Sequence, residues 1–541
     1  MEPMPKLDWR PYFPKQEPRP GQVQALDWIC EQFEAGHRRI ICELGTGVGK
    51  SAVAVCVGAW LEAREKGQGA HAPGVTVLTS QLILQNQYVD DFKQARDLRA
   101  AANFKCSGPV AGTCGETSRV RKAVGQEMAQ QSLKCVACPY REAKNDFIES
   151  PVGVTNYSYS LSESMYAGEL PPRRLLVCDE AHNVEDEVRR WTSVELTDSE
   201  LEKLGLSLPS STWDDDKCVE WLDTVYRDAL DRHLKQTASK LKKHVKAGTL
   251  ATAAVKTLAN SNDKFDKDLC KLNRLLNKGG RLLVSHDRND RTHTESIRFQ
   301  PLEIAGLIEE VLYSRASAVL LLSATLLDRD VFSKSVGLVG APYLSIPSPF
   351  KDHAFGVRFR PVGKMTQAHI ENTLRSYPKA LRRILNENKG SKGIVHAMNY
   401  RIVRALKEAM GGEKRLLFQD SARDRDTLLK RHLHSPDDTV LVSPSMMEGL
   451  DLRDDLGRFQ VICKVPYPDM SDPLVKHKDR EWYSWRTVRT LVQAVGRSVR
   501  SETDWCISYI LDECFVDVLD RAGHMVPRHL SANSLTLEEP F

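Results

Sequence analysis

The stretch RRIICELGTGVGKSAVAVCVGAWLEA, residues 38 to 63, constrains this chain most. An apolar run of strand character leads straight into a glycine-rich turn, and the turn into an apolar helix pattern. Strand, glycine turn and helix in that order make a cradle for phosphate. Backbone N–H groups wrap the anion at the helix N-terminus, where unpaired amides and the helix dipole favour negative charge. Gly45, Gly47 and Gly49 permit the tight turn, with Thr46 and Val48 between them. Lys50 is expected to reach the β- and γ-phosphates of ATP, and the Ser51 hydroxyl to ligate Mg²⁺. Leu44 stands where the usual pattern has its first glycine.

A strand of this kind needs parallel neighbours, and the chain supplies them. GVTVLTS, RRLLVCDE, AVLLLSAT, KGIVHAM, KRLLFQD, TVLVSPS, FQVICKV and WCISYIL are short, apolar and rich in β-branched residues. Amphipathic helix patterns separate most of them. This predicts an α/β fold of parallel sheets, with sites at the carboxyl ends of the strands. With 541 residues, the chain exceeds the roughly 250–300 at which a single core stops growing, so more than one domain is expected. LLVCDEAH ends its strand in acids: Asp179 is placed to hold Mg²⁺ and Glu180 to polarise an attacking water. Cradle, metal and positioned nucleophile are the parts phosphoryl transfer requires. In QAVGRSVR, Arg497 and Arg500 lie three apart and could reach a γ-phosphate from another domain, although a solvated basic helix face would read the same way.

The order PRPGQ, GTGVGKS, DEAH, SAT, EGLDL and QAVGRSVR resembles superfamily-two helicases, in which two RecA-like domains clamp ATP. A four-cysteine insert between GTGVGKS and DEAH, and a long helical insert between DEAH and SAT, resemble the XPD/DinG family of iron–sulfur DNA helicases. The resemblance covers nearly the whole chain. It implies RecA-like domain 1 in three parts, at 1–102, 151–195 and 301–340. An iron–sulfur insert would fill 103–150, a helical arch-like insert 196–300, and RecA-like domain 2 341–541. Carried over residue by residue, it implies that Arg19 and Gln22 lie near the adenine. Ser323, Ala324 and Thr325 would couple hydrolysis to movement. Glu448, Gly449 and Asp451 would line the interdomain cleft, and Gln493, Arg497 and Arg500 would close over the nucleotide. Thr79 and Gln85 would contact DNA, and Asn156 and Tyr157 would touch DNA or brace the core. The implied activity is ATP-dependent unwinding of DNA duplexes or R-loops by translocation, 5′ to 3′, on single-stranded DNA. A translocase or remodeller that does not unwind processively, and a nucleic-acid-binding recruitment factor, remain as alternatives.

Cys106, Cys114, Cys135 and Cys138 are the candidate metal ligands. Four thiolates suit a [4Fe–4S] cluster or tetrahedral Zn²⁺, and the resemblance favours iron. The segment shows no core of its own, so a metal staple is expected. Around the cysteines, Lys105, Arg119, Arg121, Lys122, Lys134, Arg141 and Lys144 could line a path for a DNA backbone. From Cys218 to Lys246, and again from Phe265 to Leu276, apolar residues recur every three or four positions, which predicts a helical hairpin. REWYSWRTVR offers Trp482, Tyr483 and Trp485 as stacking aromatics, with core packing as the competing role. A net charge of +4 fits a polyanionic partner without requiring one. No apolar run is long enough to span a membrane, and the proline-rich start has no secretory core. Of the 13 cysteines, Cys30, Cys42, Cys56, Cys178, Cys463 and Cys506 sit among apolar neighbours. A cytoplasmic, reducing setting is therefore expected, as is a monomer that a larger nucleoprotein complex could recruit.

Overall fold

The computed structural model describes residues 7–66, 71–106, 108, 110, 112–133, 137–278, 280–289, 294–350, 354–446, 452, 454–496, 499, 503–530 and 536–537. Cys135, Glu448, Gly449, Asp451, Arg497 and Arg500 lie outside the described residues, as does Lys134.

Strands β1 (Arg39–Leu44), β2 (Ala72–Thr79), β3 (Ala95–Asp97), β4 (Val152–Asn156) and β5 (Arg173–Asp179) come first. Then β6 (Val194–Thr197), β7 (Leu282–Asn289) and β8 (Thr294–Pro301) stand apart, before β9 (Ala316–Ser323) and β10 (Tyr343–Ile346). The first sheet has the order β10-β1-β9-β5-β2-β4-β3. Each of its pairings is parallel. Every residue of β5 is buried, as a strand covered on both faces must be. The second sheet holds β11 (Phe355–Gly363), β12 (Gly393–His396), β13 (Leu416–Phe418), β14 (Val440–Ser443), β15 (Phe459–Ile462), β16 (Cys506–Asp512) and β17 (Thr536–Leu537). Its order is β13-β14-β12-β15-β16-β11-β17, again parallel throughout. All nine strands read from the sequence are present. These are two RecA-like parallel-sheet domains. Because β10 pairs with β1, the first sheet runs to Ile346 rather than ending at residue 340.

One apolar cluster packs under the nucleotide-loop helix, including Trp60, Leu61 and Val75. Another is continuous between the domains: Leu326 and Phe332 of the first lie with Trp482, Trp485 and Val488 of the second. The sheets therefore meet through a packed seam as well as through polar contacts.

The region 196–300 is not purely helical. The expected hairpin forms from Arg227–Lys246 and Ala253–Lys278, but it is joined by an antiparallel sheet ordered β6-β8-β7. That sheet buries one face through Val194, Leu196, Ile297 and Phe299, and exposes Glu195 and Asp287 on the other. Its strands thus lack the unbroken apolar run that marks a buried parallel strand. Val225, one of the apolar residues of the periodic pattern between Cys218 and Lys246, is exposed at 42%. Residues Leu222–Tyr226 form a π turn, which rotates the helix face at that point.

The cysteine segment also departs from expectation, since it does share a core. Its helices Cys114–Val124 and Gln126–Ser132 bury Val120, Val124 and Ala129 against Leu241, Val245, Val255 and Ala259 of the hairpin. Several of its basic residues are spent on the same contact. Lys122 meets Asp266 at 2.5 Å, and Arg119 meets Asn260 at 2.8 Å and Asp263 at 3.5 Å. Lys144 is buried between Glu163 at 2.7 Å and Glu169 at 2.6 Å, so it does not line a DNA path. Leu241→Ala should therefore loosen the cysteine segment at a distance in sequence. A fully buried leucine costs about 2–5 kcal/mol to truncate. Hydrogen exchange at residues 114–133 should rise in that variant, and unchanged exchange there would show that the two inserts do not depend on each other.

Candidate nucleotide-binding cleft

The loop after β1 is built around its glycines. Gly47 and Gly49 have φ of +91° and +96°, in the region that side chains disfavour. Gly45 has a different reason: a Cβ there would lie 2.3 Å from the backbone nitrogen of Ser348. The loop is held from both sides. Arg19 donates to the Gly47 carbonyl at 2.6 Å, and Gln22 donates to the Gly49 carbonyl at 3.1 Å. Gln22 in turn accepts from the Arg19 backbone N–H at 2.9 Å, so the two residues brace each other and the loop. Ser348 donates to the Thr46 carbonyl at 2.7 Å. Lys50 and Ser51 open the helix Lys50–Arg64, both half-buried.

The acids of β5 face this loop. Glu180 lies 4.0 Å from the Lys50 ammonium and sits in the left-handed region at φ 52°, a conformation that costs energy in a non-glycine residue and collects at functional sites. Asp179 is buried; burial first, then the neighbouring Glu180 charge, pushes its carboxyl up to about 6. Tyr88 donates to one carboxylate oxygen at 3.1 Å and the Glu180 N–H to the other at 3.0 Å. Buried Asp179, half-buried Glu180 and the Ser51 hydroxyl make a donor set that fits a divalent cation.

From the acids a chain of contacts leads to the second domain. His182 is buried, 3.4 Å from Glu180 and hydrogen-bonded to the Ser323 hydroxyl at 2.8 Å. The Ser323 oxygen accepts the Thr325 N–H at 3.2 Å. Thr325 accepts from the side-chain amide of Gln493, on the helix Arg480–Val495, at 3.2 Å. Arg489 of that helix donates to the His182 carbonyl at 2.9 Å. Beside this path, Glu185 accepts from Lys478 at 2.8 Å and from Trp482 at 3.3 Å, and Asp186 pairs with Arg486. The sequence singled out Ser323, Thr325 and Gln493. It did not single out Tyr88, His182 as a relay, or Glu185, because single polar residues on amphipathic helices carry no pattern.

Some sequence expectations fail on burial. Trp485 is fully buried and donates to the Leu326 carbonyl at 2.6 Å, so it has no face for a base. Tyr157 is buried too, donating to the Asp179 carbonyl at 2.9 Å; it braces the core. Thr79 and Gln85 are fully buried, the latter with neither amide atom partnered among the described residues. Asn156 caps the next helix by accepting from Tyr159 N–H at 2.8 Å. Tyr483 is half-buried and stacks on Tyr467 with centroids 5.8 Å apart.

In the insert, Cys106 and Cys114 are buried and Cys138 is half-buried. Burial, with Cys138 and Cys106 close by, pushes the Cys114 thiol up to about 11. Among the described residues no three such side chains surround a common point. Even so, the neighbouring thiols of Cys106, Cys114 and Cys138 are the donor chemistry a thiolate-bound metal centre uses, and they fit such a group.

The comparisons bear on the whole arrangement. The model "Helicase C-terminal domain" matches residues 381–533, and "Type III restriction enzyme, res subunit" matches 15–207. The chain is similar to the ATP-dependent DNA helicase YoaA of Escherichia coli (strain K12), 24% identical over 41% of this chain and 37% of that protein. It is likewise 24% identical to YoaA of Haemophilus influenzae, over 41% and 36%. Among solved structures, an XPD helicase covers 97% of this chain and 100% of its own at TM-score 0.63 and 16% identity. The chain has an XPD-like fold, and its second half matches a helicase family model. S. tokodaii Xpd4 superposes with TM-score 0.56 at 15% identity, covering 96% and 100%. These structures show the fold, and the chain spans little more than a third of the curated YoaA relatives it matches.

The buried His182 gives a pH signature. Burial first, opposed by Glu180 and helped by Arg489, lowers its pKa from 6.5 to about 3. The folded state therefore keeps the ring neutral while the unfolded chain takes up a proton. The stabilising contribution is complete above pH 6.5 and is lost as pH falls toward 3, by up to about 1.4 kcal/mol per pH unit. The urea midpoint of the wild-type chain should fall more steeply between pH 6.5 and 4 than that of His182→Gln. Parallel slopes would contradict the assignment.

Proposed function

We propose that this chain is an ATP-dependent DNA helicase, acting on single-stranded DNA and opening duplexes or R-loops with 5′ to 3′ polarity. The observation that supports this most is the contact chain from the nucleotide loop to the second domain: Lys50, Glu180, His182, Ser323, Thr325 and Gln493. A hydrolysis site whose acid side is wired to a second RecA-like domain can turn nucleotide state into domain movement. Among the described residues, Gln493 Oε1 is buried without a partner, which suits a group awaiting nucleotide or water.

In this reading, Arg19 and Gln22 hold the loop open for phosphate and orient the base. Lys50 neutralises the β- and γ-phosphates. Glu180, held in its strained conformation, orients the attacking water, and His182 keeps Glu180 aimed. Gln493 closes over the γ-phosphate from the second domain, together with Arg497 and Arg500 and with Asp451 in the cleft. Mg²⁺, held by Asp179 and Ser51, supplies charge stabilisation of the transferring phosphoryl group when bound. Cys106, Cys114, Cys135 and Cys138 would hold a [4Fe–4S] cluster, which would stiffen the insert where duplex meets protein. Zn²⁺ is the alternative occupant. The chain would work as a monomer in the cytoplasm, recruited when required to a larger nucleoprotein complex.

Strand displacement on forked DNA tests the proposal. ATP should drive displacement when the loading strand has a free 5′ tail and not when only a 3′ tail is present. Displacement from the 3′ tail alone would reverse the polarity, and translocation without displacement would make the chain a remodeller. Anaerobically purified protein should be brown and contain about four irons per chain. Cys114→Ser should lose colour and displacement while still binding nucleotide; a colourless wild-type chain that displaces strands normally would remove the cluster from the account.

A further inference from the structure

Glu43 lies at the carboxyl end of β1, one residue before Leu44 and the glycine turn. In the sheet register it stands between Ser323 of β9 and Ser345 of β10. Its half-buried carboxylate is shared between two jobs. Oε1 accepts the backbone N–H groups of both Leu326 and Leu327, each at 2.8 Å. Oε2 accepts the Tyr343 hydroxyl at 2.8 Å and the Ser345 hydroxyl at 2.9 Å.

The turn that Oε1 grips is unusual. Leu327 has φ 64°, in the left-handed region where a branched side chain is rare. Two charge-assisted bonds to one oxygen are the visible means of holding it there. That turn also touches the second domain: the Leu326 carbonyl accepts from Trp485, and the adjacent Thr325 accepts from Gln493. One carboxylate thus sits on the strand that feeds the nucleotide loop and grips the turn that receives the Arg480–Val495 helix. This link reaches the turn without His182, though both links meet at the Thr325–Gln493 contact, and no pattern in the sequence singles it out.

We infer that Glu43 is a positioning residue that transmits the state of the nucleotide loop to the Arg480–Val495 helix through the Leu326–Leu327 turn. The inference rests on the proposed ATP site. Without the carboxylate the two turn amides lose their acceptor. The turn can then relax from its left-handed conformation, and its contacts to Trp485 and Gln493 no longer follow the loop.

Hydrogen exchange of the full chain, with and without a non-hydrolysable ATP analogue and Mg²⁺, tests this. In the wild type the analogue should protect both the Lys50–Arg64 helix and the Arg480–Val495 helix. Glu43→Ala should bind the analogue within about threefold of wild type and keep protection at Lys50–Arg64, but lose it at Arg480–Val495. Tyr343→Phe removes one bond to the same carboxylate and leaves the turn gripped, so it should match the wild type at both helices. Glu43→Ala protecting both helices would overturn the inference. So would loss of protection at both together, or a Tyr343→Phe that behaves like Glu43→Ala, since either outcome makes Glu43 merely structural. A wild-type chain that fails to bind the analogue at all would instead bring down the nucleotide site, and this inference with it.

Discussion

The hydrogen bond between the His182 ring and the Ser323 hydroxyl is buried and 2.8 Å long, and the working parts of the molecule are arranged around it. The same ring nitrogen, Nδ1, also approaches Glu180, and through Glu180 the Lys50 ammonium. Toward the second domain, the serine oxygen accepts the Thr325 N–H, and Thr325 receives Gln493. Burial keeps the ring neutral, so its Nδ1 can meet both the Ser323 hydroxyl and the Glu180 carboxylate without adding a charge to the acid cluster. A protonated ring would compete with Lys50 for Glu180. A hydrophobic residue would leave the Ser323 hydroxyl without this buried partner and break the path between the sheets.

The same economy governs the inserts. A short segment with several cysteines cannot bury much apolar surface alone. Here it packs Val120, Val124 and Ala129 onto the helical hairpin, and fastens itself with Lys122 to Asp266 and Arg119 to Asp263. The positive charges that looked available to a DNA backbone are partly committed to holding the two inserts together. Any metal centre in the segment would therefore stiffen a unit that already has a fold, rather than create one. Movement of the hairpin and movement of the cysteine segment should be coupled, since they share one core.

The parallel strands were legible because each is a continuous apolar run covered on both faces. The phosphate loop and its acids were legible because glycines and carboxylates occur at strand ends in a fixed order. The one-sided sheet of β6, β7 and β8 was not, since half of its residues face water and interrupt the apolar signal. Tyr88 and Glu43 were not legible for another reason: each acts through contacts with residues far away in the chain, and nothing in its own neighbourhood marks it. The aromatic run around Trp485 misled in the opposite direction. Its alternation of basic and aromatic residues suggested an exposed stacking surface, but the tryptophan rings are the apolar seam between the two domains.

The account stands or falls on nucleotide being held and cleaved between the β1 loop and the second domain. Phosphate release from ATP, with and without single-stranded DNA, measured side by side for the wild-type chain and Lys50→Ala, tests that most directly. The account predicts release by the wild type that rises with DNA and is abolished in the variant. Substantial DNA-stimulated release by Lys50→Ala would contradict it.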